Sequence, residues 1–293
     1  MKLETIIEEV VSIPPAPQIL PKLQAILRHP ESDLEDIINL LKVDISITTE
    51  ILKLANSMYF GFTNPVTSLE QAIGLMGFRE IYKIVAVAAA DTAMKEALPF
   101  YNANEGEFLD HSVATALIMT SIAEVGGLTE TESHYTTGLL HGIGKIVINQ
   151  YFLSRGLSVY GANHPNGEGE QEISLEQERQ LFGFDHTEAG AALLSKWNFS
   201  TEIVAPIRHQ YKPDKAGVNS CVSEDLRISR ENSQLLIDGV ENIDEWKLPE
   251  GEAAVPFSRS EFEEIISISH KKYSNFNDLL KSEKSSSSEH MVC

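Results

Sequence analysis

The segment DISITTEILKLANSMYFG, residues 44–61, indicates most directly how this chain folds. Asp44 can accept hydrogen bonds from the free backbone N–H groups at the start of a helix, and Gly61 ends the pattern. Between them, apolar side chains recur on one helical face: Ile47, Ile51, Leu54 and Ala55. The segment therefore predicts an amphipathic helix that buries one face in a helical core.

Similar start signals and spacings occur on both sides of this segment. Capping boxes, in which two side chains satisfy each other's free backbone N–H groups, are predicted at Ser32, Ser68 and Thr129. Apolar positions at helical spacing predict further helices over residues 18–27, 34–41, 69–76, 78–94, 107–125, 130–152, 174–182, 186–197, 200–211, 223–237 and 259–273. No segment shows sustained strand alternation, so the predicted fold class is all-α.

The helical periodicity lapses between residues 98 and 106, where a proline, two asparagines and a glycine occur. Such residues punctuate loops, so we place a domain boundary there. The prediction is a two-lobed helical bundle, with an N-terminal lobe over residues 1–102 and a second helical lobe over residues 103–280. Residues 281–293, which include a run of serines, offer nothing to bury and are predicted to form a disordered tail.

The chain carries a net charge of −20 at pH 7, and its sequence contains no basic cluster. A negative surface repels the phosphate backbone of nucleic acids, which disfavours a nucleic-acid partner. No apolar run approaches the roughly 18–20 residues that a membrane span requires, so no membrane partner is expected. The N-terminus lacks the layout of a secretory signal, and the two cysteines are Cys221 and Cys293. These features favour a cytoplasmic protein.

Residues 68–90 mimic a DNA-reading helix-turn-helix, because two predicted helices flank Gly77. A recognition helix must present polar and basic side chains to the DNA groove. Here the second helix carries Ile84, Val85 and a series of alanines, which would be buried. A DNA-binding regulator acting through this segment is therefore a minor functional alternative.

Four histidines lie within predicted helices or at their ends, well separated in sequence: His111, His141, His186 and His209. Imidazoles on facing helices of a bundle can assemble a metal site. Four unrelated histidines, in the core or on the surface, would give the same pattern, and the spacing alone leaves both interpretations open. His134 can share a helix face with His141, but it lies near the helix start and is expected to be exposed.

Several motifs together resemble the HDOD family of bacterial signalling proteins. In the N-terminal half they are IPPAP at residues 13–17, the segment 44–61 with its LANS-Tyr-Phe-Gly run, and SLEQAIGLMG at residues 68–77. In the second half they are Asp110-His111-Ser112, GLLHGIGK at residues 138–145 and FDHTEAGAALLSKW at residues 184–197. The resemblance covers about residues 10–211. It implies an all-helical fold whose second lobe is related to the HD phosphohydrolases.

HD phosphohydrolases bind one or two metal ions through a histidine, a His-Asp pair and a distant aspartate. By this resemblance, His111 corresponds to the first histidine and His141 to the histidine of the pair, while Lys145 keeps its place after it. Gly142 stands where the paired aspartate is expected. Glycine supplies no ligand atom, so the resemblance implies a degenerate HD-like lobe.

The remaining site residues also follow from the resemblance. His186 and His209 resemble additional histidines of two-metal relatives, but Gln210 stands where a second adjacent histidine is expected. Asp225 is the suggestion for the distant aspartate. The predicted pocket is therefore lined by His111, His141, Lys145, His186 and His209, with the four histidines as candidate ligands of a divalent metal ion.

The functional prediction is a non-catalytic signal-transduction or regulatory module. It would act by binding a protein partner of a signalling pathway or a small ligand such as a nucleotide. The principal alternative is a residual metal-dependent phosphohydrolase of the HD type, and the discriminating position is Gly142.

Overall fold

The computed structural model describes residues 3, 6–7, 19–29, 33–57, 60–155, 173–247 and 257–289. Within these ranges the fold is all-α, as predicted, and one isolated β-bridge joins Leu98 to Ala103. The α-helices are α1 (Ile19–Arg28), α2 (Leu34–Lys42), α3 (Ile45–Ala55), α4 (Leu69–Met76), α5 (Phe78–Met94), α6 (Glu107–Val125), α7 (Glu132–Leu140), α8 (Ile143–Ser154), α9 (Leu175–Phe182), α10 (His186–Lys196), α11 (Thr201–His209), α12 (Ser220–Ile237) and α13 (Arg259–Glu289). Short 3-10 helices occupy Pro99–Tyr101, Pro213–Asn219 and Ile243–Glu245.

The helix starts are set by polar side chains, but none of the three predicted capping boxes forms as predicted, and Ser32 itself lies outside the described residues. Asp44 caps α3 as predicted, since its carboxylate accepts from the backbone N–H groups of Ser46 and Ile47. The box predicted at Ser32 belongs one residue later, where Asp33 pairs with Asp36 at the start of α2. At Thr129 no box forms, because α7 begins after Thr131, which makes no side-chain cap bond.

Ser68 caps α4 by accepting from the backbone N–H of Gln71. The Gln71 side chain does not return this bond. It accepts instead from the backbone N–H of Thr67. The N-cap predicted here is therefore present, but the box is not reciprocal.

A continuous hydrophobic core lies around α5 and α6. Helix α6 packs against α7, α12 and α13, and α5 packs against α3 and α7. Of the described helices, α6 is the one that is long and apolar enough to cross a membrane, and 72% of its most apolar window is buried inside the protein. This pattern is typical of the central helix of a folded domain.

The burial of helix α5 disfavours the DNA-binding alternative for residues 68–90, which no observation here tests. Its apolar side chains are buried in the core: Ile81, Tyr82, Ile84, Val85, Ala86, Ala89 and Ala90. A helix packed in this way cannot enter a DNA groove without unfolding its own core.

The predicted lobe boundary falls on the 3-10 helix Pro99–Tyr101 and the Leu98–Ala103 bridge. One buried cluster nevertheless contains both Leu54 of α3 and Leu117 of α6, on the two sides of this boundary. The division into residues 1–102 and 103–280 stays a prediction.

The C-terminal helix is longer than expected. The sequence predicts a helix that ends near residue 273 and disorder from residue 281, whereas α13 continues to Glu289. Residues 281–289 continue α13, which contains no proline or glycine that would stop it, and the disordered tail over residues 281–293 stays a prediction. Residues 290–293 lie outside the described part of the chain.

The single helix predicted over residues 130–152 is two helices, α7 and α8, with a break at His141 and Gly142. The break has a local cause. The Nδ1 atom of His141 bonds to the carbonyl oxygen of Gly138 at 2.7 Å, so a side chain occupies an acceptor of the helical ladder. The His141 carbonyl accepts from the side chain of Gln210 at 3.0 Å. The break therefore turns His141 into the protein and leaves its backbone carbonyl satisfied.

Two glycines let the helices around this break approach closely. A Cβ atom on Gly138 would lie 2.5 Å from the Cα of Ala116 in α6. A Cβ atom on Gly144 would lie 1.8 Å from the carbonyl oxygen of His186 and 2.6 Å from the backbone nitrogen of Gly190 in α10. The contact between α8 and α10 is therefore a contact of backbones, which positions His141 and His186 on adjacent elements.

Candidate functional site

The first pair of predicted site residues, His111 and His141, does come together. Their ring centroids lie 5.2 Å apart. The Ser233 hydroxyl donates to the Arg230 carbonyl at 2.9 Å, so the Nδ1–H of His111 donates to Ser233 Oγ at 2.7 Å. His141 likewise uses Nδ1 as a donor to a carbonyl oxygen. Both rings are thus held in the tautomer that leaves Nε2 as the acceptor.

His141 is neutral in this environment. Burial lowers the pKa of its imidazole well below the usual range, and the neighbouring His111 lowers that pKa further. A neutral imidazole suits hydrogen bonding or metal ligation equally. The decision between them rests on what surrounds the two rings.

The space next to His141 is filled by an aromatic ring. A Cβ atom on Gly142 would lie 2.6 Å from Cζ and 2.7 Å from Cε2 of Phe108, which lies about one helical turn before His111 on α6. Phe108 is buried. Any side chain at position 142 would therefore require the Phe108 ring to shift, and glycine itself supplies no carboxylate.

His186 belongs to a separate network built on Glu178 of α9, which is fully buried. The Glu178 carboxylate accepts from the His186 backbone N–H at 2.7 Å, from His186 Nδ1 at 2.9 Å and from the Tyr101 hydroxyl at 2.7 Å. The Tyr211 hydroxyl lies 3.3 Å from His186 Nε2. Both ring nitrogens of His186 are thereby in contact with protein groups.

Burial also governs the protonation of this network. It lowers the pKa of His186, against the opposing influence of the Glu178 carboxylate, and it raises the pKa of Tyr101 well above the usual range. Tyr101 therefore keeps its proton and donates to Glu178.

Two cations lie between the His111–His141 pair and the His186 network. Lys145 Nζ is 5.2 Å from the centre of the Tyr101 ring, and the Arg230 guanidinium is 4.1 Å from the centre of the Tyr211 ring. Both cations contribute to lowering the pKa of His141. Lys145 thus lies close to Tyr101 of the His186 network and influences the pKa of His141.

His209 does not join either group. It is half-buried, and its pKa is lowered by burial and then by the positive charges of Arg208 and Lys215. The neighbouring Gln210 is fully buried instead and bonds to the His141 carbonyl. Position 210, rather than 209, faces the site.

Comparison with known proteins places the chain among its relatives. A profile of the HDOD domain matches residues 13–213. The chain belongs to the HDOD family. The fold is similar to that of an HDOD domain protein of unknown function from Geobacter sulfurreducens, with 20% identity, a TM-score of 0.62 and coverage of 96% of this chain and 94% of the other.

Two further structures share the HDOD fold. One is a candidate phosphohydrolase from Shewanella amazonensis SB2B, with 21% identity, a TM-score of 0.62 and coverage of 96% of this chain and 93% of the other. The second is a candidate signal transduction protein from Marinobacter aquaeolei VT8, with 19% identity, a TM-score of 0.57 and coverage of 97% and 60%. At these identities the likeness establishes the fold.

An uncharacterized protein of Treponema pallidum (strain Nichols) is 22% identical over 215 residues, which span 71% of this chain. The matched part corresponds to 39% of the length of that protein.

The relation of HDOD domains to HD phosphohydrolases implies a metal ion, and the residues present do not fit one. Among the described residues, no group of three or more His, Cys, Asp and Glu side chains could hold a metal. The four-histidine metal site stays a prediction, and the structure places the histidines as one pair, one Glu178-bound histidine and one outlying histidine. The space of the missing ligand at position 142 belongs to Phe108.

Asp225, the suggested distant aspartate, faces His134 instead. Its Oδ2 lies 3.9 Å from His134 Nε2, and both side chains are buried. The expectation that His134 is exposed is thus wrong, because α7 turns this side chain towards α12. Burial raises the pKa of Asp225 to about 7 and lowers that of His134. Both shifts favour the neutral forms, so the pair is a neutral contact below about pH 7, where Asp225 keeps its proton.

Replacing Asp225 by asparagine is expected to stabilise the HDOD chain at alkaline pH. An unfolded aspartate has a pKa of about 3.9, so the folded state holds the proton more tightly between that value and about 7. Stability consequently falls as pH rises through this window, by an amount on the order of a few kcal/mol. Asp225→Asn removes this loss, and its melting temperature should exceed that of the wild type by several degrees at pH 8.

At pH 5 the difference between the two melting temperatures should be clearly smaller than at pH 8, because pH 5 lies part-way through the window from about 3.9 to about 7. His134, whose pKa is lowered, has the opposite pH dependence, but it is present in both proteins and cancels in the comparison. A constant difference from pH 5 to pH 8 would mean that Asp225 does not titrate in the folded state.

Several residues of this site were not predicted from the sequence. Phe108 and Ser233 carry no motif, and the bond from His111 to Ser233 spans 122 positions. Glu178 had a weak local signal, since it lies eight residues before His186 across the turn between α9 and α10. The pocket predicted at the histidines stays a prediction. A groove of about 820 Å³ lies between α3, α5, α6 and α13, and none of the five predicted pocket residues lines it.

Proposed function

We propose that this HDOD chain is a non-catalytic regulatory module of bacterial signal transduction, which acts in the cytoplasm by binding a protein partner. The observation that carries the proposal is the Phe108 ring in the space beside Gly142. A metal-dependent phosphohydrolase needs ligands that hold the metal and activate water there. Here a hydrophobic side chain fills that space, which supports a structural role for the degenerate HD-like lobe.

The hydrogen bonds of the histidines support the same conclusion. His141 and His186 are buried, and each contacts protein acceptors or donors. Such networks specify one packing of the helices around them. The nucleotide ligand suggested by the resemblance has weaker support, because these rings are turned into the protein. The residual phosphohydrolase activity has no specific observation in its favour.

The test is a multiple-turnover assay with cyclic dinucleotides and a simple phosphodiester, in the presence of Mn²⁺, Fe²⁺ or Zn²⁺. The wild-type chain and His141→Ala are expected to give the same background rate. Loss of a ligand group from a preorganised site typically costs orders of magnitude in rate, and here more than one is absent.

Hydrolysis that disappears in His141→Ala would overturn the proposal, provided that circular dichroism shows the variant to be folded. Gly142→Asp alone should not create an enzyme, because the new carboxylate would meet the Phe108 ring.

A further inference from the structure

The groove of about 820 Å³ is separate from the histidine networks. Its walls are the outward faces of α3 and α5 on one side and the start of α6 with α13 on the other. Its volume lies in the range of protein binding sites, and the proposed function assigns it no role.

The floor of the groove is apolar. The lining side chains from its four helices include Ile47, Leu54, Ile84, Val87, Leu109 and Phe276. Val87, Leu109 and Phe276 are half-buried, so they present apolar surface to an occupant. A floor of this kind binds the apolar stripe of an amphipathic helix.

The apolar surface continues outside the groove at its α3 edge. Val43 is 84% exposed and Ile45 is 80% exposed. They flank Asp44, which lines the groove. Large apolar side chains at such exposure beside a groove are typical of an interaction surface.

The walls carry more negative than positive charge. Six carboxylates and four lysines line the groove. Lys53 and Lys83 lie 3.9 and 3.5 Å from glutamates of their own helices, and Lys272 lies 2.7 Å from Glu124 outside the groove. The positive charges of three of the four lysines are thus already balanced by neighbouring glutamates. Among the remaining lining residues, one lysine, Lys95, is outnumbered by four carboxylates: Asp44, Asp91, Glu105 and Asp110.

We propose that this groove is the docking site for a basic amphipathic helix of a protein partner. The inference rests on the proposed function, since it names the class of partner that such a module would bind. An α-helix is about 10 Å wide, and its apolar stripe would lie on the floor while its lysines and arginines meet the acidic walls. The net charge of −20 favours a basic partner over a nucleic acid, an anionic membrane or a second copy of this chain.

The probe is a fluorescein-labelled synthetic helix of leucine and lysine, about 18 residues long, with the leucines on one face. Its anisotropy is measured against the full chain. The test variant is Asp91→Lys/Glu105→Lys, which inverts two charges of the groove wall. The matched control is Glu130→Lys/Glu176→Lys, which makes the same change of net charge at exposed positions outside the groove.

The groove variant is expected to raise the Kd of the probe about tenfold, whereas the control should change it less than twofold. A scrambled probe without an apolar face should bind more weakly than the ordered one. If both variants weaken binding equally, or if the two probes bind equally well, then general charge attraction accounts for the binding. Either result would overturn the proposal.

Two other outcomes would also overturn it. If the wild-type chain does not bind the probe but binds anionic vesicles, the groove is a membrane-binding site. A wild-type dimer in sedimentation that the groove variant abolishes would assign the groove to a second copy. Each of these results leaves the hydrolysis assay unaffected, so failure of the groove proposal is distinguishable from failure of the proposed function.

Discussion

Replacing Glu178 by alanine is expected to lower the free energy of unfolding by about 3–5 kcal/mol. Glu178 is fully buried and accepts hydrogen bonds from the backbone and ring of His186 and from the hydroxyl of Tyr101. Alanine leaves these donors without their acceptor, in a place that water does not reach. Each unsatisfied buried donor costs about 1–3 kcal/mol. Urea denaturation followed by circular dichroism measures the loss.

The same helix supplies the control for this variant. Glu176 is exposed and contacts Gln180, so Glu176→Ala should change stability by less than about 1 kcal/mol. Glu178→Gln keeps one acceptor oxygen and should fall between the two. If Glu178→Ala were as stable as Glu176→Ala, the carboxylate would not organise the region around His186.

Replacing Gly144 by alanine is expected to destabilise the chain by more than about 3 kcal/mol, or to prevent soluble expression. The new Cβ would lie 1.8 Å from the carbonyl oxygen of His186 and 2.6 Å from the backbone nitrogen of Gly190. Both are backbone atoms, so no side-chain rotation relieves the contact. Helices α8 and α10 must then separate, which opens the packing around His141 and His186.

Gly74 provides the matched control. It lies within α4, and no atom would come within 4 Å of an added Cβ. Alanine has the higher helix propensity, so Gly74→Ala should stabilise the chain by about 0.5–1 kcal/mol. Melting temperatures of the two variants should therefore move in opposite directions, and a shared direction would contradict the close backbone contact at Gly144.

Signals within a few residues of each helix were sufficient to predict much of the fold. The bounds predicted for α5 and α6, 78–94 and 107–125, agree with the structure, because their apolar spacing and their flanking glycines act within a few residues. The cap at Asp44 is local in the same sense. The three predicted capping boxes show the limit of local information, since several polar residues compete at each helix start and none of the boxes forms as predicted.

The geometry of the candidate site depends on contacts between residues far apart in the chain, which the spacing of residues in the sequence does not reveal. The break between α7 and α8 is satisfied by Gln210, 69 positions away from His141. The ring of Phe108 became relevant only when α6 was seen beside Gly142. The sequence singled out His111, His141 and His186, whereas their arrangement in two hydrogen-bond networks is a product of tertiary packing.

The contact between Phe108 and Gly142 also bears on how such a chain can evolve. A single change to Gly142→Asp inserts a carboxylate against a buried ring. A single change to Phe108→Ala leaves a cavity, which typically costs about 3–5 kcal/mol. Either intermediate is less stable than the present chain, so one substitution is disfavoured until the other is present. The effects of Gly142→Asp and Phe108→Ala on the free energy of unfolding are therefore expected to be non-additive.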